Sequence, residues 1–505
     1  MSDGGSNGFK RVSTGISGLD DVLDGGLPAH RMYLIQGDPG AGKTTLAMQF
    51  LLEGARRGEA GLYATLSETE DELRVVAASH GWGLDGITIC DLQSTLRERG
   101  DSQYTLFHPS EVELAETTRS LLGTVDRIQP ARLVVDSLSE MRLLARDSLR
   151  YRRQILSFKQ HLAGRGCTVL LLDYQAEGAA DSQLQSLAHG LIILQHLAPE
   201  YGGQRRRLRI QKVRGVAFCD GYHDFSIARG GIVVYPRLVA AAHRQELDLE
   251  EVSSGLPELD SLLGGGVARG TSTMLMGPSG VGKSTIASQY VFAGAGRGER
   301  AAVYLFDEMP PVWLERCRAM GADIAPLAAK GLVELRRVDP AELSPGEFTA
   351  LVRREVELGA RIVVIDSLNG YQTAMLADRY LGLHLRELLS FLASHGVLTL
   401  LMMTQHGVIG SVVESPVDLT YLADNVILMR YFEAFGEVRQ AISALKKRTG
   451  GHERSIRELR LGPQGPRVGR TLTEFQGVLT GELTYLGRKE PLLAEQPRPA
   501  APGHG

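Results

Sequence analysis

A chain of 505 residues is too long for one ordinary core, so two or more domains are expected. With 43% hydrophobic and 23% charged residues, its balance is that of a globular protein and excludes a disordered or fibrous one. The 55 basic and 59 acidic residues leave a formal net charge of −4, which gives no global nucleic-acid signature. Residues 1–8 read as a flexible Gly/Ser-rich start without the apolar stretch expected of a secretory signal, and no apolar run is long enough to span a membrane. Cys90, Cys167, Cys219 and Cys317 are scattered and make no metal-ligand pair, which fits a reducing, cytoplasmic setting.

The first strong signal is Gly37-Asp38-Pro39-Gly40-Ala41-Gly42-Lys43-Thr44-Thr45, which fits G-x-x-x-x-G-K-[ST]. Met32–Ile35 reads as the strand leading in and Leu46–Leu52 as the helix leading out. Glycines let the backbone wrap a polyphosphate, N–H groups point inward, and the helix N-terminus adds a favourable dipole. Lys43 supplies charge for the β- and γ-phosphates, and the Thr44 hydroxyl is placed for Mg²⁺. ATP and Mg²⁺ are therefore the expected ligands.

Reading on, the chain repeats itself. Thr14-Gly-Ile-Ser-Gly-Leu-Asp20 precedes the first P-loop, and Ser254-Gly-Leu-Pro-Glu-Leu-Asp260 precedes a second. The second is Gly277-Pro278-Ser279-Gly280-Val281-Gly282-Lys283-Ser284-Thr285. Short apolar strands then end in Ser67-Glu68 and in Asp307-Glu308. Two more end in Asp136 and Asp366, the Walker B pattern in which a carboxylate serves Mg²⁺. Cys167–Asp173 matches Val397–Gln405, and Leu191–Leu194 matches Val426–Met429. Helical patterns at Arg150–Ala163 and Arg379–Ser394 alternate with these strands. The alternation predicts α/β architecture: mostly parallel sheets with helices on both faces and nucleotide at the carboxyl ends of the strands. Leu208–Gly215 and Ile442–Thr449 add matched basic strands carrying Lys212 and Arg214, and Lys446 and Arg448. Their bland reading is a basic sheet edge that discourages aggregation. Arg205, Arg206 and Arg207 read as a solvated turn of a Gly-rich hairpin. His189, His196, His395 and His406 show no ligand spacing, and Phe306 and Trp313 read as core or interface residues.

From about Phe9 to Leu486 these landmarks, in this order, resemble the KaiC family of tandem RecA-like ATPases. The resemblance implies RecA-like domains at 9–238 and 251–486, a linker at 239–250 and a disordered tail at 487–505. It implies a homo-hexameric double ring with ATP at subunit interfaces. It places Lys43, Thr44, Lys283 and Ser284 on the P-loop positions, and Asp136 and Asp366 on the Walker B positions. Family members end the strand after the P-loop helix in two adjacent glutamates that activate water. Here Ser67 and Asp307 replace the first of each pair, which leaves Glu68 and Glu308 as candidate general bases, with Asp307 able to share the second. Because a serine is no carboxylate base, hydrolysis in the first half is expected to be slowed, and the second site to carry the faster chemistry. Lys212, Arg214, Lys446 and Arg448 fall where the family reaches the γ-phosphate of the next subunit. Thr420 falls on one of two family self-phosphorylation positions, and Tyr421 stands at the other.

Three functions fit this reading: an ATP-hydrolysing signalling or timing ring with serine/threonine autokinase activity, an ATP-switched scaffold with little turnover, and a RecA-like nucleic-acid motor. The third would need basic loops interleaved with aromatics. Aromatics make up only 6% of the chain and form no such cluster, so the first two are favoured, with unidentified signalling proteins as partners.

Overall fold

The computed structural model of the chain describes residues 10–92, 109–145, 147–174, 184–198, 202–238, 250–339, 341–374, 381–405, 420–478 and 484–487. Most of the expected linker, the expected tail from 488, His406 and the run before Thr420 lie outside these residues. Contacts divide the chain into two units, 1–238 with 341–353, and 239–340 with 354–505.

In the first unit the principal elements are β1 (Met32–Gly37), α1 (Lys43–Arg56), β2 (Gly61–Thr65), α2 (Glu70–Ser79), β3 (Ile87–Asp91), α3 (Pro109–Ile128), β4 (Arg132–Asp136), α4 (Leu138–Ala145), α5 (Ser148–Leu162), β5 (Thr168–Asp173), β6 (Gly190–Leu197), β7 (Arg205–Val213), β8 (Tyr222–Ala228) and β9 (Gly231–Tyr235). The nine strands form one sheet in the order β9-β8-β7-β6-β1-β5-β4-β2-β3. The run from β6 to β3 is parallel, and β7, β8 and β9 add antiparallel strands at one edge. Strands β1, β2, β4 and β5 are buried throughout, which is why they read as unbroken apolar runs rather than alternating ones. Their side chains divide between two cores. Tyr33, Ile35, Tyr63, Val134 and Leu170 meet Phe50 and Leu73 on one face. Leu34, Leu62, Leu133 and Val169 meet Leu121 and Phe158 on the other.

The second unit repeats this plan with β10 (Ser272–Gly277), α6 (Lys283–Gly296), β11 (Arg300–Leu305), α7 (Pro310–Ala319), β12 (Val333–Arg337), β13 (Ala360–Asp366), α8 (Leu381–Ser394), β14 (Leu398–Thr404), β15 (Asn425–Ala434), β16 (Glu437–Lys447), β17 (Arg457–Arg460) and β18 (Arg467–Thr471). Its order, β12-β11-β13-β14-β10-β15-β16-β17-β18, is the same arrangement. Trp313 is 1% exposed in its core, and Phe306 packs edge-on to Tyr371.

Before each P-loop one aspartate organises the chain. Asp20 accepts from Ser13 Oγ, Thr14 N and Thr14 Oγ1 at 2.7–2.8 Å, and Asp260 accepts from Ser253 Oγ, Ser254 N and Ser254 Oγ at 2.5–2.8 Å. The repeated Gly-x-x-x-Leu-Asp signature is thus a folding device. One expectation needs correcting: Arg205–Arg207 belong to β7, not to a solvated turn. Arg207 donates to Gln195 Oε1 at 2.8 Å and lies 4.1 Å from the Tyr222 ring centre. Cross-strand pairing, with Gln195 on β6 and Tyr222 on β8, gave the arginines a half-buried place that composition did not signal.

Candidate functional site

Each P-loop joins the end of its central strand to the start of a long helix. Gly42 caps α1 at φ 98°, and a Cβ there would stand 2.7 Å from Ile227 Cδ1; Gly282 caps α6 at φ 109°, with Leu461 Cδ1 at 2.8 Å. Only glycine meets both demands. Lys43 Nζ donates to the carbonyls of Gly37 (2.7 Å) and Asp38 (3.0 Å), and Lys283 Nζ to those of Gly277 (2.9 Å) and Pro278 (2.8 Å). Burial lowers the pKa of both, that of Lys283 to about 8, because a desolvated ammonium is disfavoured.

Sheet register brings the carboxylates to the same end. Thr65 lies beside Asp136, and Leu305 beside Asp366. Leu66 N donates to Asp136 O at 2.6 Å, and Phe306 N to Asp366 O at 2.8 Å, which fixes the chain just before each Glu. Thr44 Oγ1 donates to Asp136 Oδ2 at 3.2 Å, and Ser284 hydrogen-bonds Asp366. Burial raises the pKa of both aspartates, and the hydroxyl bonds oppose it. A hydroxyl beside a carboxylate is a hard-oxygen pair that suits Mg²⁺.

The two candidate bases, Glu68 and Glu308, differ in their neighbours. Glu68 is half-buried, and its Oε2 has no hydrogen-bond partner among the described residues. Burial first, then the Asp136 charge, raise its pKa. Glu308 receives two bonds from one guanidinium: Arg316 Nη2 at 2.6 Å and Nε at 3.3 Å. Of the preceding residues, Ser67 Oγ lies 3.3 Å from Ser137 Oγ, whereas Asp307 Oδ2 accepts from Ser367 Oγ at 2.7 Å.

The basic pairs do not join their own P-loops. Gly37 pairs with Leu194 in the middle of β6, whereas Gly190, at its start, pairs with Val213, next to Lys212. That separation is four strand residues, about 13 Å. Asn425 likewise pairs with Thr273 and Lys447, away from Gly277. Lys212 Nζ donates to Gln185 O, and Arg214 Nη2 to Ser186 O at 2.7 Å. Lys446 Nζ donates to the carbonyls of Thr420 (3.2 Å) and Ala423 (2.7 Å). Arg448 pairs with Asp424 at 3.1 Å and donates to Tyr421 O at 3.1 Å. Thr420 is half-buried, and Tyr421 is exposed.

Three features escaped the sequence reading. Tyr63 donates its hydroxyl to Asp136 Oδ2 at 2.6 Å. Asp173, fully buried at the end of β5, accepts from Arg142 Nη2 (2.5 Å) and Ser139 Oγ (2.7 Å). The third is the Arg316 clamp. Tyr63 and Arg316 were findable by placing the two halves in register back from Glu68 and Glu308, which sets Val303 opposite Tyr63 and Val76 opposite Arg316. The resemblance of Leu62-Tyr63 to Val303-Tyr304 hides this, because it is out of register by one residue and one residue exchanges faces.

Comparison with known proteins agrees with this geometry. A family profile described as "ATPase: KaiC" matches residues 12–239 and 252–472. The circadian clock protein KaiC3 of Synechocystis sp. is 26% identical over 97% of this chain and 98% of its own length. The circadian clock oscillator protein KaiC of Acaryochloris marina is 24% identical over 95% of this chain and 92% of its own. That of Thermostichus vulcanus is 26% identical, covering 95% and 93%. With two P-loops, two strand-end aspartates of the Walker type and a family match across both halves, the chain belongs to the KaiC family of nucleotide-binding, RecA-like ATPases.

Proposed function

We propose that the chain binds MgATP at two sites and hydrolyses it within a closed ring of identical subunits, a hexamer, acting in signalling or timing from a cytoplasmic location. The observation that carries this reading is the separation just described. Each site has its P-loop, hydroxyl, aspartate and glutamate together, while its basic pair lies at the far end of the same sheet. A head-to-tail neighbour would bring that end to the next subunit's phosphates, and head-to-tail contacts that close make rings. Among the described residues, no helix is long and apolar enough to cross a membrane.

In this reading Gly37–Thr45 and Gly277–Thr285 cradle the phosphates, with Lys43 and Lys283 on the β- and γ-oxygens. Thr44 with Asp136, and Ser284 with Asp366, would hold Mg²⁺, which when bound neutralises phosphate charge. Glu68 and Glu308 take the proton of the attacking water at a carboxylate oxygen. Lys212, Arg214, Lys446 and Arg448 stabilise the transferring phosphoryl group of the neighbour. Thr420 is a candidate acceptor for self-phosphorylation, beside the carbonyl held by Lys446.

The test is native mass spectrometry of the full chain after incubation with labelled ATP, with Lys43→Ala and Lys283→Ala alongside. The wild type should assemble into hexamers holding about two nucleotides per subunit, and each variant should lose about one. A monomer that holds nucleotide would sink the ring. Label on Thr420, absent in Thr420→Ala, would support autokinase activity. The scaffold reading draws on the bonds that occupy Glu308. Rings that form with ATP but release no phosphate would establish it instead.

A further inference from the structure

We infer that Arg316 is a positioning residue that restrains the base of the second site: by holding both carboxylate oxygens of Glu308 it slows hydrolysis there. The inference rests on the reading of Glu308 as the base.

The guanidinium of Arg316 lies on α7, two helical turns beyond Glu308. It meets both Oε1 and Oε2, through Nε and Nη2. Such a fork fixes the carboxylate plane as well as its position. A carboxylate has about four acceptor sites. Two are taken here, and the charge that would draw a water proton is matched by a cation. The other charged groups around Glu308 do not offer a substitute. Lys283 is turned to the carbonyls of its own loop, Asp307 is bonded to Ser367, and Asp366 carries the same sign. The first site shows the same frame without the clamp: Val76 stands where Arg316 would be, and Glu68 Oε2 has no partner among the described residues. The fold therefore does not require this ion pair to build the site, and its presence in one copy alone needs a role in that copy.

The side chains of Arg316 and Glu308 are 31% and 27% exposed, so water weakens the hold. Its release should be worth a factor of about five in rate, or about 1 kcal/mol.

The experiment uses the full chain in a Lys43→Ala background, where remaining turnover belongs to the second site. Arg316→Val, which copies the first half, should raise kcat about five-fold with little change in KM for ATP. Arg316→Gln, free of the β-branch that disfavours helix, should do the same. Arg316→Lys, which keeps the charge but not the fork, should fall between wild type and Arg316→Val. Adding Glu308→Gln to Arg316→Val should remove the gain. A fall in kcat, no change, or a change confined to KM would overturn the inference. If Glu308→Gln alone leaves turnover unchanged, the reading of Glu308 as base fails. If it abolishes turnover while Arg316→Val brings no gain, only the restraint fails. ATP binding by all three Arg316 variants separates a rate effect from misfolding.

Discussion

The two halves of this chain share a frame and differ in what surrounds the same carboxylates. In the first, Asp136 accepts from Tyr63 and Thr44 while Glu68 has an oxygen without a partner among the described residues. In the second, Val303 offers Asp366 no hydroxyl, and Glu308 is forked by Arg316. Buried Asp173 with Arg142 in the first half lies in register with Met403 in the second. Thus the first copy gives its aspartate two hydroxyl donors and leaves one oxygen of its glutamate without a partner among the described residues, whereas the second gives its aspartate the Ser284 hydroxyl and holds both oxygens of its glutamate. Counting carboxylates in sequence favours the second site, because Ser67 cannot act as a base and Asp307 can. Environment argues the other way, because burial raises the pKa of Glu68, while both oxygens of Glu308 are already held by the Arg316 guanidinium.

The sharpest way to break this comparison is to remove each base. Glu68→Gln and Glu308→Gln each keep shape and lose the proton acceptor. Each should lower its own site's turnover by about two to four orders of magnitude. Measured with the opposite P-loop lysine replaced, the larger absolute loss of phosphate release should come from Glu68→Gln. If Glu308→Gln accounts for nearly all turnover, then carboxylate count outweighs environment.

Much of this was legible from sequence because backbone-level demands leave marks on residue type. Both P-loops, the strands ending in Asp136 and Asp366, and the alternation that gives a parallel sheet follow from glycine, apolar runs and spacing. The expected strand Met32–Ile35 is β1, Met32–Gly37, and the expected helix Leu46–Leu52 lies inside α1, Lys43–Arg56. What stayed hidden depends on side chains that meet across elements. Tyr63 in a buried strand looks like any core aromatic until register points it at Asp136. Arg316 looks like a solvated helix residue until the turn at Pro310 carries it back to Glu308. Arg207 looked like part of a loop until pairing placed it over Tyr222.

A milder perturbation tests the Tyr63 side of the comparison. Tyr63→Phe removes one hydroxyl and leaves the ring in the core, so little cavity is made. Asp136 then loses one of its two hydroxyl donors while it stays buried. A bond to a charged group is worth about 1.5–3 kcal/mol, and a lower melting temperature should report that loss. If Tyr63→Phe melts like wild type, the hydroxyl contributes no net stability, and the first site's aspartate is not tied down as argued.

The smallest effect is a displacement in pH. With Glu68 as the proposed base, turnover at the first site should follow its ionised fraction and fall as pH drops through that group's pKa. Burial and the Asp136 charge raise this pKa, so the fall begins at higher pH than for an exposed glutamate. Val76→Arg would bring a guanidinium to the position Arg316 occupies in the second half. An opposite charge favours the ionised carboxylate and should move the acid limb to lower pH. In a Lys283→Ala background the ratio of the rate at about pH 5 to that at about pH 7 should therefore rise, even as the rate at the higher pH falls because the base is now held. The two changes run in opposite directions, which general damage to the site would not produce. An acid limb that stays in place, with both rates reduced together, would mean that the neighbour at residue 76 does not set the behaviour of Glu68. The contrast between the two halves would then have to come from Tyr63, Asp173 and Arg142.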